Sequence, residues 1–137
     1  MTGLVVSVVV LAAARSHGAP QRRRSGRDRV RVRDGGKRLG VADLGEGLGE
    51  RATLVQFSSA FCAPCRATRR VLTEVAAMVP GVAHVEIDAE QHLDLVRRLD
   101  ILKTPTVLVL DADGRIVRRA TGQPRTADVI AALGEAV

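Results

Sequence analysis

The sequence predicts an α/β domain, a mixed central β-sheet flanked by helices on both faces. Strand-like and helix-like segments follow one another in the order β-α-β-α-β-β-α, which lets each helix bury one apolar stripe against a sheet. Thr106-Val107-Leu108-Val109-Leu110 is the most continuous apolar strand of the chain. Asp111-Ala112-Asp113-Gly114 then turns the chain into Arg115–Ala120, an antiparallel step that makes the sheet mixed.

The chain of 137 residues has room for one domain and a short appendage. Its apolar residues are mainly Val, Leu and Ala, with Phe57 and Phe61 as the aromatics. Two cysteines cannot build the multi-bridge framework of a small secreted protein. The net charge of +6 is uneven: Arg15 to Arg38 holds ten basic residues, whereas from Ala52 onward basic and acidic residues balance at ten each. The basic character therefore belongs to the leader and says nothing about a substrate.

Residues 1–14 form a hydrophobic N-terminal segment, 15–28 a basic linker, and 29–137 the predicted domain. The apolar run Gly3–Ala14 is shorter than the roughly 20 residues of a spanning helix and resembles a signal core in length. Met1-Thr2-Gly3 lacks the positive start of a signal peptide, and the basic residues all follow the run. That order favours a short membrane anchor with the domain on the cytoplasmic side; a soluble cytoplasmic or an exported protein is the alternative. The Arg22-Arg23-Arg24 run is expected to touch anionic lipid or simply to remain solvated. Nucleic acid is not expected as a partner, because no aromatic residue stands among these arginines to stack on a base.

Arg29–Arg33 alternates polar and apolar and reads as an edge strand, entering a hairpin with Lys37–Leu39 through Asp34-Gly35-Gly36. Val41–Leu48 is glycine-broken and makes at best a short helix with Asp43 near its start. Thr53–Phe57 is a buried strand. From Ala67 to Val79, apolar Val71, Leu72, Val75, Met78 and Val79 recur at three- and four-residue spacing, and Pro80-Gly81 stops the helix. Val82–Asp88 is a strand, and Glu90–Leu99 a helix with Val96 and Leu99 inward. Thr126 is placed to cap a final helix that turns Val129, Ile130 and Leu133 to the sheet.

The chemistry centres on Ser58-Ser59-Ala60-Phe61-Cys62-Ala63-Pro64-Cys65-Arg66. A Cys-x-x-Cys between a strand and a helix puts its first sulfur at the helix mouth. Unpaired N–H groups and the positive end of the helix dipole favour a thiolate there. The second sulfur follows within about one turn, in range of a disulfide with the first. Pro64 suits the first helical turn, where no N–H is needed.

Phe57–Arg66, Lys103-Thr104-Pro105-Thr106 before the apolar strand, and Gly122 in the loop after it resemble the thioredoxin family from about Leu39 to the C-terminus. The resemblance implies the thioredoxin fold and a thiol–disulfide oxidoreductase that reduces protein disulfides. Cys62 would be the attacking thiol and Cys65 the resolving one, with Phe61, Ala63, Pro64, Thr104, Pro105 and Gly122 contacting substrate. It implies a cis Thr104–Pro105 peptide, with the Thr104 hydroxyl in reach of sulfur. Expected partners are disulfide-containing protein clients and a reductase or other electron donor, with membrane contact through the leader; no cofactor or metal is called for, and a monomer is expected. The turn Asp34–Lys37 before Val41–Leu44 is also similar to membrane-tethered bacterial thioredoxin-like reductases, without the insertion those often carry. A membrane-tethered adaptor without turnover and a metal-binding module using the Cys pair are the competing functions; two soft ligands fall short of the four a structural zinc takes.

The chain departs from the family at two positions. Gln56 stands where many members have an aspartate, and His84 where its lysine partner usually lies. Gln56 cannot accept a proton from Cys65. His84, which titrates near neutrality, is a candidate for proton transfer, directly or through water; a strand histidine hydrogen-bonded to backbone or exposed to solvent is the other reading. Ser58 and Phe61 occupy the tryptophan positions. Glu86, Asp88 and Glu90 read as a solvated rim, and His17 and His92 as surface residues.

Overall fold

The structure, a computed structural model, describes residues 30–32 and 37–137. The chain runs through β1 (Val30–Val32), α1 (Val41–Leu44), β2 (Ala52–Ser58), α2 (Ala63–Met78), β3 (Val82–Asp88), a 3-10 turn (Ala89–Gln91), α3 (Leu93–Arg98), β4 (Thr106–Asp111), β5 (Ile116–Thr121) and α4 (Thr126–Ala136). Among the described residues the five strands form one sheet in the order β1-β5-β4-β2-β3. The β2–β3 pair is parallel, because α2 carries the chain back over the sheet; the other pairs are antiparallel.

Strand side chains alternate between faces, and this divides the core. Leu54 of β2 and Val107 and Val109 of β4 pack under α2 and α4 with Leu72, Val75, Val129 and Leu133. Val55, Phe57, Val85, Ile87, Leu108 and Leu110 face the other way, against Leu44, Leu95 and Leu99. Gln56 shares the face of Leu54, so its buried amide points toward α2 and the cysteines. The predicted mixed sheet with helices on both faces is what forms.

Several local expectations are corrected. Val30–Val32 does not pair with Lys37–Leu39. It pairs antiparallel with β5, Val30 opposite Ala120 and Val32 opposite Arg118, while Arg38 bridges to Arg115 further along the same edge. One segment thus lies along β5 and the other at the residue just before it. The predicted helix from Glu90 starts later, because Asp88 Oδ1 accepts the Glu90 N–H at 2.9 Å and holds a 3-10 turn ahead of α3. Thr126 is the first residue of α4 and not its cap, and Arg125 in the cap position makes no side-chain capping bond. Ile130 is exposed while Ala132 takes the buried position.

The expected membrane anchor is also corrected. No helix among the described residues is long and apolar enough to cross a membrane. The longest, α2, has 16 residues and an exposed face carrying Arg66, Arg69 and Arg70, whereas a span needs about 20 predominantly apolar residues. The segments 1–14 and 15–28, with His17, lie outside the described residues.

Candidate active site

Strand β2, flanked by β4 and β3, ends at Ser58, and the turn that follows is tight. Phe61 takes a left-handed conformation (φ 56°) and stands fully exposed. Cys62 then occupies the N-cap of α2, with Ala63 and Pro64 as the first helical residues, both exposed. Its Sγ accepts the Cys65 N–H at 3.2 Å, so the first sulfur takes the place that a serine or aspartate oxygen usually holds at a helix start. Cys62 and Cys65 are joined in a disulfide with their Cα atoms 5.2 Å apart. Cys65 is buried while Cys62 is partly open, so a partner from solution meets the first sulfur.

The loop before β4 packs beside this turn. The Thr104–Pro105 peptide is cis. Thr104 Oγ1 lies 2.7 Å from Ser59 Oγ, so the hydroxyl expected to reach sulfur pairs instead with the cysteine turn. On the far side, the Gly122 N–H donates to the Pro105 carbonyl at 2.7 Å. Gly122 has φ 87°, a left-handed backbone that favours glycine, which is why a glycine closes this end of the site.

Behind the cysteines lies a polar chain. Gln56 Nε2 donates to the Cys65 carbonyl (2.8 Å) and to Ser58 Oγ (3.0 Å). His84 Nε2 is 3.2 Å from Gln56 Oε1, and its Nδ1 is 3.5 Å from Thr73 Oγ1. Burial pushes the His84 pKa below the usual histidine value; Glu86 pulls it back up and Arg69 opposes that. The ring nitrogen therefore meets the amide of Gln56. Among the described hydrogen bonds, none joins His84 or Gln56 to a sulfur, which is the contact that direct proton transfer would use.

The acidic rim is accounted for locally. Glu86 pairs with Arg69, Asp88 caps the 3-10 turn, and Glu90 Oε1 accepts the Ala60 N–H at 3.4 Å. Among the described residues no group of His, Cys, Asp and Glu is arranged to hold a metal ion. His92 sits on the surface with Nδ1 2.9 Å from the Asp88 carbonyl.

Two contributors escaped the sequence reading. Leu102, two residues before Thr104, is 95% exposed and adds an apolar side chain to the loop carrying Pro105. An apolar residue ahead of Lys-Thr-Pro in a loop was the available signal. Arg119 is buried on β5 and donates to the carbonyls of Leu99 (Nη2, 2.6 Å) and Asp100 (Nη1, 3.2 Å), pinning the end of α3 from which the loop departs. Strict alternation from buried Ile116 would have turned Arg118 inward; the register shift at Val109/Leu110 is what brings Arg119 to the Ile116 side, and no signal in the sequence marks it.

The arrangement defines a class: proteins that carry a dithiol–disulfide pair at a helix N-terminus, beside an X-Pro loop, on a mixed sheet. Comparison with known proteins narrows it. The family model described as Thioredoxin matches residues 45–135. A thioredoxin of Mycolicibacterium smegmatis is 29% identical over 90 residues, covering 64% of this chain and 80% of that protein. Rice Thioredoxin H5 is 25% identical over 72 residues, 53% of each chain, so this chain spans about half the length of some curated relatives it matches. Among solved structures, chloroplastic thioredoxin z superposes with a TM-score of 0.57 at 28% identity, over 69% of this chain and 83% of that one. Fasciola hepatica thioredoxin shares the fold at a TM-score of 0.57 and 21% identity, over 65% and 84%. The chain belongs to the thioredoxin family.

Proposed function

We propose that the protein is a thiol–disulfide oxidoreductase that reduces disulfides in protein clients through Cys62 and Cys65. The observation that carries this reading is Cys62 at the N-cap of α2, its sulfur facing the Cys65 N–H and bridged to Cys65. In the reduced protein the same N–H and the helix dipole stabilise a Cys62 thiolate. That thiolate attacks a client disulfide: a Cys62–client bond forms, and one client sulfur leaves as thiolate. Cys65, losing its proton, then attacks Cys62 Sγ; the internal bridge forms and the second client sulfur leaves with the bonding pair. The client is reduced by two electrons, and an external dithiol or reductase restores the Cys62–Cys65 pair.

Phe61, Ala63 and Pro64 on one side, and Thr104, Pro105 and Gly122 on the other, are the proposed client contacts, with Leu102 added to them. The exposed apolar side chains of Phe61, Ala63, Pro64 and Leu102 suit a polypeptide held extended across the gap, with Thr104 partly exposed and Pro105 and Gly122 buried between them. The test is insulin reduction in the presence of dithiothreitol. The parent should accelerate it, Cys62→Ser should abolish the effect, and Cys65→Ser should accumulate a mixed disulfide with client. Parent activity no greater than that of Cys62→Ser defeats the reading. Equilibration against glutathione sets the direction: a potential near about −270 mV marks a reductant, and one near about −120 mV an oxidant.

A further inference from the structure

Gln56 is fully buried and spends its whole amide. The carbonyl of Cys65 only accepts, so the group facing it must be the amide NH2, whose second hydrogen goes to Ser58 Oγ. Oε1 is then left for His84, and an amide oxygen also only accepts. The hydrogen in that contact is therefore on His84 Nε2. In the neutral ring the lone pair sits on Nδ1, beside Thr73 Oγ1 and turned away from Gln56 and the cysteines. Burial favours this neutral ring; of the charged groups around it, Glu86 and Arg69 are paired with each other, and Glu46 pulls weakly toward the charged form. His84 is thus arranged as a donor to an amide, with its basic atom on the wrong side to take a proton from Cys65.

We propose that His84 is a positioning residue for the resolving step: through Gln56 it holds the Cys65 carbonyl and keeps Cys65 aligned for return to Cys62. The moment this matters is the mixed disulfide. Cys62 is then bonded to client, the internal bridge no longer tethers Cys65, and the backbone must hold the second thiol in range. The step itself forms the Cys62–Cys65 bond, breaks the Cys62–client bond and sends the electron pair out with client sulfur. The inference rests on the proposed oxidoreductase activity.

Ellman's disulfide, 5,5′-dithiobis(2-nitrobenzoate), reads both steps in one trace with the reduced full chain. The first thionitrobenzoate is released by Cys62 and the second by Cys65. In His84→Leu the second phase should slow about tenfold, the effect of roughly one net hydrogen bond, with the first phase at the parent rate. His84→Gln, which keeps an N–H donor, should recover most of the second phase. The pH profile of that phase in His84→Leu should keep the parent's shape, displaced downward. Gln56→Met, similar in length but without the amide, should reproduce the slowed second phase and serves if His84→Leu does not fold. Parent-like second phases in these variants overturn the inference alone. So does a slow His84→Gln that has lost a pH inflection, since that assigns His84 a role as base. A parent whose first phase is no faster than a free cysteine peptide overturns the oxidoreductase reading along with it.

Discussion

Ser59 Oγ and Thr104 Oγ1 lie 2.7 Å apart, a hydroxyl pair joining the turn before Cys62 to the loop of Pro105 across 45 residues of sequence. The two halves of the proposed client groove are thereby held in one geometry. Ser59→Ala and Thr104→Val should each raise KM for a protein disulfide by about three- to tenfold, the range of one net hydrogen bond. Because the hydroxyls serve one contact, the double variant should be little worse than either single one. Insulin-reduction kinetics on the four proteins measure it; additive losses would show that the pair is not a unit.

Arg119 is the anchor of the same loop from below. Its guanidinium holds the Leu99 and Asp100 carbonyls, and Asp100 itself takes a left-handed backbone at φ 54°. Arg119→Met should lower unfolding free energy by about 2–3 kcal/mol, since buried carbonyls lose charged donors. Urea unfolding measures this directly. Arg119→Lys cannot span both carbonyls with a fork and should recover only part of the loss.

Phe61 and Leu102 expose apolar side chains on either side of the cysteine turn and the proline loop. Replacing either with Ser should raise KM for a folded protein disulfide about three- to tenfold, as loss of one apolar contact does. The effect on a small aromatic disulfide should be smaller, since such a probe covers less of the surface. Equal effects on both substrates would mean that the residues act on the sulfur chemistry and not on client contact.

Acid should destabilise the fold in two stages. His84 is held below its ordinary 6.5 by burial, and Asp43 below its ordinary 3.8, first by the Gly40 N–H and then by the Arg98 guanidinium. In both cases the unfolded chain binds the proton more tightly, so stability is present above the ordinary value and is lost as pH falls through the lowered one. The first decline begins below about pH 6.5 and the second below about pH 3.8. Urea midpoints followed across this range should show the upper decline vanish in His84→Gln and the lower one in Asp43→Asn. A parent curve flat from pH 7 to pH 5 would contradict the upper stage.

The position of the dithiol was legible in the chain because its determinants are local, and the family became legible once Lys103-Thr104-Pro105-Thr106 and Gly122 were read with it. A buried strand, a Cys-x-x-Cys, a proline in the first helical turn and an amphipathic stripe need only a few neighbouring residues to be recognised. Both β2 and β4 read as buried strands, and which side chains went to which half of the core was decided by their alternation in the folded sheet. What failed were choices between equally good local partners. Val30–Val32 could pair with Lys37–Leu39 or with another strand, and it lies against β5; Ile130 and Ala132 both fit an apolar stripe, and packing against β4 and β5 buried the smaller one.

The sequence by itself determined that two thiols would stand at the mouth of a helix, because strand, turn and helix are written consecutively around them. Only the tertiary structure decided what surrounds those thiols. Gln56 meets the Cys65 carbonyl and His84, Ser59 meets Thr104, and Arg119 meets Leu99. Each contact depends on strand register and helix placement, and a hydrogen bond needs its partners placed to within a few tenths of an ångström, a precision that residue spacing along the chain does not carry.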